Sequence, residues 1–212
     1  MKMPDDYYDH TRAEALDLLA SCPRKVLDIG CGRGGVSREI RRRCLEAVVY
    51  GCDVHRDPNF DYDTVFAGFS QVNLETDRIP FEIGDFDLIL LLDVLEHLSR
   101  PQEVLEQLVV QARPGCQFLV SLPNFHYYSN LAAIIRSGRF AYTDDGILDR
   151  THLRFFGFED AKALLSGLLQ IERTLQFNPF ENAKSRLIGR VFGPRYSAYQ
   201  NIFLCRKAPS AG

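Results

Sequence analysis

No apolar run in this chain approaches the roughly 20 residues needed to cross a bilayer. Neither sign of charge dominates. Lys and Arg total 25, Asp and Glu 28, and the net charge is −3, so nothing pulls the whole molecule towards nucleic acid or an anionic surface. There is no C-x-x-C pair. The six cysteines lie scattered at 22, 31, 44, 52, 116 and 205, a pattern that predicts buried, reduced thiols. A disulfide or a zinc site would need closer spacing, and no metal site is expected. Residues 1–10 are acidic and polar, unlike a secretory leader, which predicts a cytoplasmic protein. Repeats, low-complexity tracts and linkers are missing too. With 46% apolar residues, the expectation is a single domain over 1–212 with a sizeable core.

What the chain does have is an alternation of apolar runs and helical patterns. Helical periodicity over 11–20 ends before Pro23. A strand is predicted over 25–29 and a helix over 34–44, which finishes in Arg41-Arg42-Arg43. Further strands are expected at 47–52 and near 69–72. The strongest lies at 86–92, apolar apart from Asp87, as suits a parallel strand covered on both faces. A helix over 101–112 stops at Pro114-Gly115, and a strand over 116–122 stops at Pro123-Asn124. Strands alternating with helices imply a parallel sheet with right-handed crossovers. The pattern breaks over 124–157, where aromatics, Gly and Asp mix around a short helix at 129–136. This reads as an insertion covering the site. A helix over 158–169 and two closing strands, 171–177 and 200–205, complete the chain.

The most informative stretch is Val26-Leu27-Asp28-Ile29-Gly30-Cys31-Gly32-Arg33-Gly34-Gly35. A strand runs into glycines, then into a helix. Without Cβ atoms the backbone amides can approach a ligand closely, at a helix N-terminus that favours anions. Gly30, Gly32 and Gly35 also read as G-x-G-x-x-G, and Asp53 follows at about the 20-residue spacing of the dinucleotide fingerprint. An NAD-dependent oxidoreductase is therefore one reading. Asp28 leans against it, because a carboxylate at the mouth would face a pyrophosphate. It suits a ligand carrying an amino group or a sulfonium.

Val-Leu-Asp-Ile-Gly-Cys-Gly-x-Gly, then Tyr50-Gly51-Cys52-Asp53-Val54, then Phe86-Asp87-Leu88-Ile89 running into Asp93-Val94-Leu95-Glu96-His97-Leu98, resembles the class I S-adenosylmethionine-dependent methyltransferases. The resemblance covers 25–122. It implies an α/β, Rossmann-like three-layer sandwich, with a seven-stranded, mostly parallel sheet whose last strand is antiparallel. It implies S-adenosylmethionine as cofactor. Asp28, Gly30, Cys31 and Gly32 would flank its methionine part, and Asp53 would bind both ribose hydroxyls. Val54 would lie against the adenine and Asn73-Leu74 at the adenine edge, although the family more often has Asp at position 73. Leu92 would lie beside the methionine moiety, with His97 by the same pocket.

A second signature is Leu122-Pro123-Asn124-Phe125-His126, then Gly138-Arg139-Phe140-Ala141-Tyr142, then 146–156 with Asp149-Arg150-Thr151-His152-Leu153-Arg154. It is similar to a bacterial methyltransferase subgroup associated with surface-polysaccharide and other glycan assembly. The cofactor brings its own activation, so the protein must align the partners, exclude water and take a proton. For a hydroxyl acceptor, on a small molecule or a glycan, histidine is the natural base. Of the five histidines, His126 and His152 follow the last central strand, on the ligand side of such sheets. His152 is the first candidate and His126 the reserve, with Asp149 orienting the His152 ring. Arg150, Arg154 and Asn124 are candidate acceptor-binding groups. The Asn-Pro-Pro-Tyr motif of many nucleic-acid amino methyltransferases is absent.

No nucleic-acid partner is expected. Arg38, Arg41, Arg42 and Arg43 lack interleaved aromatics and read as a solvated face near a helix C-terminus. Over 183–196, Leu187, Ile188, Val191 and Phe192 make an apolar face beside Lys184, Arg186, Arg190 and Arg195. That face either packs into the core with a basic outer side or lies on an anionic membrane. A cofactor-binding protein without catalysis is the remaining alternative. The segment 124–156 argues against it, since a scaffold has no need of such a polar, aromatic-rich stretch.

Overall fold

The structure, a computed structural model, describes residues 13–208. The acidic residues 1–10 and the start of the helix expected over 11–20 lie outside that range. Seven strands form one sheet: β1 (Lys25–Ile29), β2 (Val48–Asp53), β3 (Gly68–Gln71), β4 (Leu88–Leu92), β5 (Gln117–Pro123), β6 (Gln170–Phe177) and β7 (Gln200–Arg206). Their order is β3-β2-β1-β4-β5-β7-β6. Only β7 runs against its neighbours, β5 and β6. The sheet and its reversed strand thus match the expectation.

Alternation along the strands builds two cores. Leu27, Ile29, Ile89, Leu91, Phe118 and Val120 face one helical layer. Val26, Leu88, Leu90, Leu119, Ile202 and Leu204 face the other. Covered on both sides, β4 can be apolar at all five positions. Asp28 shares the Val26 side of β1, where helix α2 (Gly35–Arg43) packs through Val36, Ser37 and Ile40. The exposed side of α2 carries the arginine run, and Arg42 and Arg43 both pair with Glu39. This agrees with a solvated face.

The first helix ends earlier than expected: among the described residues α1 is Ala13–Leu16, and isolated turn hydrogen bonds from Asp17, Leu18 and Leu19 follow it. The cysteine expectation also needs correcting. Cys22 and Cys44 form a disulfide that joins the segment before β1 to the C-cap of α2. Their Cα atoms are 5.4 Å apart although 22 positions separate them in sequence, so spacing alone could not reveal the pair. The other four cysteines are buried thiols, as predicted.

Beyond these come α3 (Pro101–Gln111), α4 (Tyr128–Ser137), α5 (Phe158–Ser166), α6 (Ala183–Phe192) and α7 (Pro194–Ser197). The segment 124–157 is pinned at its base where Asn124 bridges Phe156. Its returning limb is held to the loop after β4, because the amides of Leu153 and Arg154 both donate to the carbonyl of Glu96. No helix among the described residues is long and apolar enough to cross a membrane.

Candidate active site

At the carboxyl end of β1 the backbone reverses through Gly30, Gly32 and Gly34, all with positive φ. A Cβ on Gly30 would stand 2.6 Å from Val94, so this glycine serves the packing of the turn against the loop after β4 as well as any approach of a ligand. The turn closes on β2. The amides of Gly30 and Cys31 donate to the carbonyl of Cys52, and that of Gly32 donates to Asp53 Oδ2 at 2.8 Å. Asp53 Oδ1 accepts from the His55 amide at 2.8 Å. Each oxygen of Asp53 keeps a further acceptor position, so the carboxylate is fixed at the crevice rim and can still receive hydroxyl donors. Burial raises its pKa, against the lowering effect of the His55 and Gly32 amides.

Asp28 is buried and accepts a 2.5 Å hydrogen bond from Ser37 Oγ of α2. Burial pushes its carboxyl up to about 7, against the lowering effect of Ser37, while the negative field of Asp53 adds to the rise. Such a group gains from an incoming cation. Cys31 is buried beside it, and burial drives its thiol well above the ordinary range, which makes it a packing residue rather than a nucleophile. Val54 is half exposed beyond the end of β2, an apolar face available to a flat ring. Asn73 Oδ1 accepts from the Glu75 amide, and the Asn73 amide donates to Asp77. Its oxygen therefore shapes a local turn, and Leu74 packs against the core. Leu92 ends β4, half-buried, just before Asp93.

Sequence reasoning passed over Asp93 as a site residue. It is the one non-glycine residue with positive φ among the described residues, at 58°. That backbone strain is held in place by hydrogen bonds from Ser121 Oγ and Gln200 Nε2 to its Oδ1. The strained turn delivers Glu96 and His97, on the 3₁₀ turn Leu95–His97, to the same edge as the glycines.

There His97 and His152 meet with ring centroids 4.7 Å apart. Nδ1–H of His152 donates to the Ile147 carbonyl at 3.0 Å, and Nδ1 of His97 lies 3.2 Å from the Thr151 carbonyl. With those nitrogens committed, Nε2 is the basic atom of each ring. One ligand atom from each of Glu96, His97 and His152 lies within 4.8 Å of the others. Two imidazoles and a carboxylate are a donor set able to hold a divalent cation or to shuttle a proton. Burial, then the neighbouring His152, lower the pKa of His97.

Other predicted residues of this region are engaged within the protein. Asp149 makes no hydrogen bond to the His152 ring; its Oδ1 accepts from the Thr151 amide and hydroxyl, and its Oδ2 has no hydrogen-bond partner among the described residues. The Ile147 carbonyl orients His152 instead. Arg150 pairs with Asp144, and Arg154 donates to the Ser99 carbonyl. Asn124, completely buried, spends its side chain on the carbonyls of Arg195 and Ala198 and on the His126 amide, as a clamp would. His126 packs apart from the His97–His152 pair. A Cβ on Gly157 would lie 2.4 Å from its ring, and the Tyr196 ring centroid is 6.3 Å from that of His126.

Comparison with known proteins supplies the family and the fold. The methyltransferase domain family matches residues 5–166. The ubiquinone biosynthesis O-methyltransferase of Acinetobacter baylyi is 31% identical over 119 residues, 53% of this chain and 49% of that protein. Its mitochondrial counterpart in Saccharomyces cerevisiae is 30% identical over 105 residues, 46% of this chain and 33% of that protein. The chain thus spans about half the length, or less, of these curated relatives. Among solved structures, a Haloferax volcanii methyltransferase complexed with the activator Trm112 superposes with a TM-score of 0.63 at 16% identity, covering 98% of this chain and 92% of that one. The N-methyltransferase NodS of Bradyrhizobium japonicum, bound to S-adenosylhomocysteine, gives 0.60 at 16% identity, covering 98% and 90%. The glycine turn, the fixed Asp53 and the seven-stranded sheet with one reversed strand therefore identify the chain as a member of the class I S-adenosylmethionine-dependent methyltransferases.

Proposed function

We propose that the chain methylates a hydroxyl of a small molecule or glycan, with His152 as general base. The observation that carries this reading is the commitment of His152 Nδ1–H to the Ile147 carbonyl, which leaves Nε2 basic in a buried site beside Glu96 and His97. The cofactor supplies an activated methyl group. The residues fit it: Asp28 is a buried carboxyl that ionises readily beside a cation, and Asp53 keeps acceptor capacity for a ribose diol.

Asp28 would hold the positive end of the cofactor, Asp53 its sugar, and Val54 and Leu74 its base. At the same edge, His152 Nε2 takes the acceptor proton as the oxygen becomes nucleophilic. Glu96 steadies the imidazolium so formed, and burial, with the neighbouring His152, disfavours a second positive charge on the His97 ring. The segment 124–157 shelters this chemistry from water. Transfer to oxygen accords with the curated relatives, whose names specify O-methyltransferases.

The test is His152→Ala, with turnover and S-adenosylhomocysteine affinity measured separately. Turnover should fall about 10²- to 10⁴-fold, the usual contribution of a general base, with cofactor affinity unchanged. Unchanged turnover removes His152 from the mechanism. Lost cofactor affinity assigns it a structural role.

A further inference from the structure

Helix α6 does not bury its apolar face. Its inward direction is set by Ser185, completely buried, and by Gly189, where a Cβ would stand 2.8 Å from Ser197 Oγ. At helical spacing the opposite side is Leu187, with Val191 one turn on. Both are exposed, at 60% and 62%, and Phe192 and Phe180 are equally open. Leu187 and Val191 therefore do not pack into the core, whereas Ile188 of the same predicted face is half-buried.

Charge brackets the apolar stripe. Arg186 and Arg190 run along one flank, and Lys184 lies on the other, its Nζ 5.2 Å over the Tyr128 ring at the start of α4. A groove of about 500 Å³ beneath α6 is lined by both arginines, with Glu181 the acidic group at its rim.

The rest of the surface points the same way. Of twelve exposed large apolar residues among those described, eight fall beyond the carboxyl ends of β5 and β6: Ile135, Phe140, Tyr142 and Leu153 in one segment, Phe180, Leu187, Val191 and Phe192 in the other. Because β6 runs in the direction of β5, both segments leave the sheet at one edge. Exposed apolar surface concentrated at a single edge marks an interaction site.

We propose that this edge docks on an anionic phospholipid bilayer, with Leu187 and Val191 entering the interface and Arg186 and Arg190 engaging headgroup phosphates. A bilayer fits because the apolar stripe is narrow, convex and flanked by long basic side chains whose stems can lie along it while their heads reach phosphate. The net charge of −3 does not oppose this, since screening limits the field to about 8 Å at physiological salt and the basic residues are local. Docked this way, the edge carrying His97 and His152 faces the membrane. The proposal concerns binding alone and stands whatever the acceptor is.

The experiment is co-sedimentation of the whole chain with phosphatidylcholine vesicles, with and without phosphatidylglycerol, across a salt series. The expected result is partitioning onto the anionic vesicles that weakens as salt rises. Arg186→Gln and Arg190→Gln should each lower it about fivefold, the contribution of one basic residue near an anionic leaflet. Leu187→Glu with Val191→Glu should lower it about tenfold or more, since two apolar side chains lose their burial. Both sets of variants should keep the wild-type melting temperature and S-adenosylhomocysteine affinity. Failure to bind anionic vesicles at low salt overturns the proposal. So does binding that ignores lipid charge, or a dimer abolished by the same substitutions in a chain that leaves vesicles alone.

Discussion

Asp28→Asn should stabilise the ligand-free protein above neutral pH while crippling cofactor binding. In the fold, burial lifts the Asp28 carboxyl from 3.8 to about 7. Between those pH values the unfolded chain gives up a proton that the folded chain retains, so the folded state loses stability as pH rises through that window. A gap of about three units, at about 1.4 kcal/mol each, sets a ceiling of about 4 kcal/mol on the cost carried at pH 8. Asparagine keeps the shape, and its amide oxygen can still accept from Ser37. At roughly 2–4 °C per kcal/mol for a domain of this size, half of that ceiling raises the melting temperature by about 4–8 °C at pH 8. The gain should shrink towards pH 5, where the wild-type carboxyl is already protonated. Binding should move the other way. Losing a charged hydrogen-bonding partner costs about 1.5–3 kcal/mol, or about 10- to 150-fold in affinity. Wild-type affinity should itself weaken by up to about tenfold per pH unit below 7, because binding a cation at Asp28 expels its proton. Thermal melts at pH 5 and pH 8, with calorimetric titration of S-adenosylhomocysteine, read both effects. An equal change in melting temperature at the two pH values, or unchanged affinity, refutes the reasoning. A buried Asp28 carboxyl is thus a stability cost accepted for function, of the kind binding sites carry.

Gly30→Ala combines a positive φ with a 2.6 Å clash against Val94 and should cost about 2–4 kcal/mol, read by urea denaturation; a loss under 1 kcal/mol would show that the turn relaxes. Asn124→Leu strands the carbonyls of Arg195 and Ala198 and should destabilise by about 2–4 kcal/mol, again by denaturation, with cofactor affinity preserved if the residue is a clamp and not a ligand contact. Cys22→Ser opens a loop of 22 residues and should lower stability by about 3 kcal/mol in oxidising buffer and by nothing under reductant, as two melts would report. Ser121→Ala removes one support of the strained Asp93 turn and should lower turnover more than cofactor affinity, measured as kcat against the S-adenosylhomocysteine Kd.

Where local pattern and burial coincide, the sequence was readable. The all-apolar β4 could only be a strand covered on both faces, and the glycines after β1 marked the turn because no other residue tolerates three positive φ angles so close together. Asp28 was legible as the group that argues for a cation, since its place at the strand end is a matter of counting. The illegible parts depend on which atoms meet across the fold. Asp149 and His152 are three apart, yet turn geometry sends the carboxylate to Thr151 and gives the ring to the Ile147 carbonyl. Asn124, Arg150 and Arg154 look like ligand-binding groups by type, but each finds a partner within the protein. The Cys22–Cys44 bond and the His97–His152 pair join distant positions, which no one-dimensional pattern encodes.

The most direct test is a crystal structure with S-adenosylhomocysteine. Its amino end should lie at Asp28, its ribose hydroxyls on Asp53, and its sulfur facing the edge where His152 and Glu96 converge. A ligand seated elsewhere, or a ribose that leaves Asp53 bound only to the amides of Gly32 and His55, would contradict this placement.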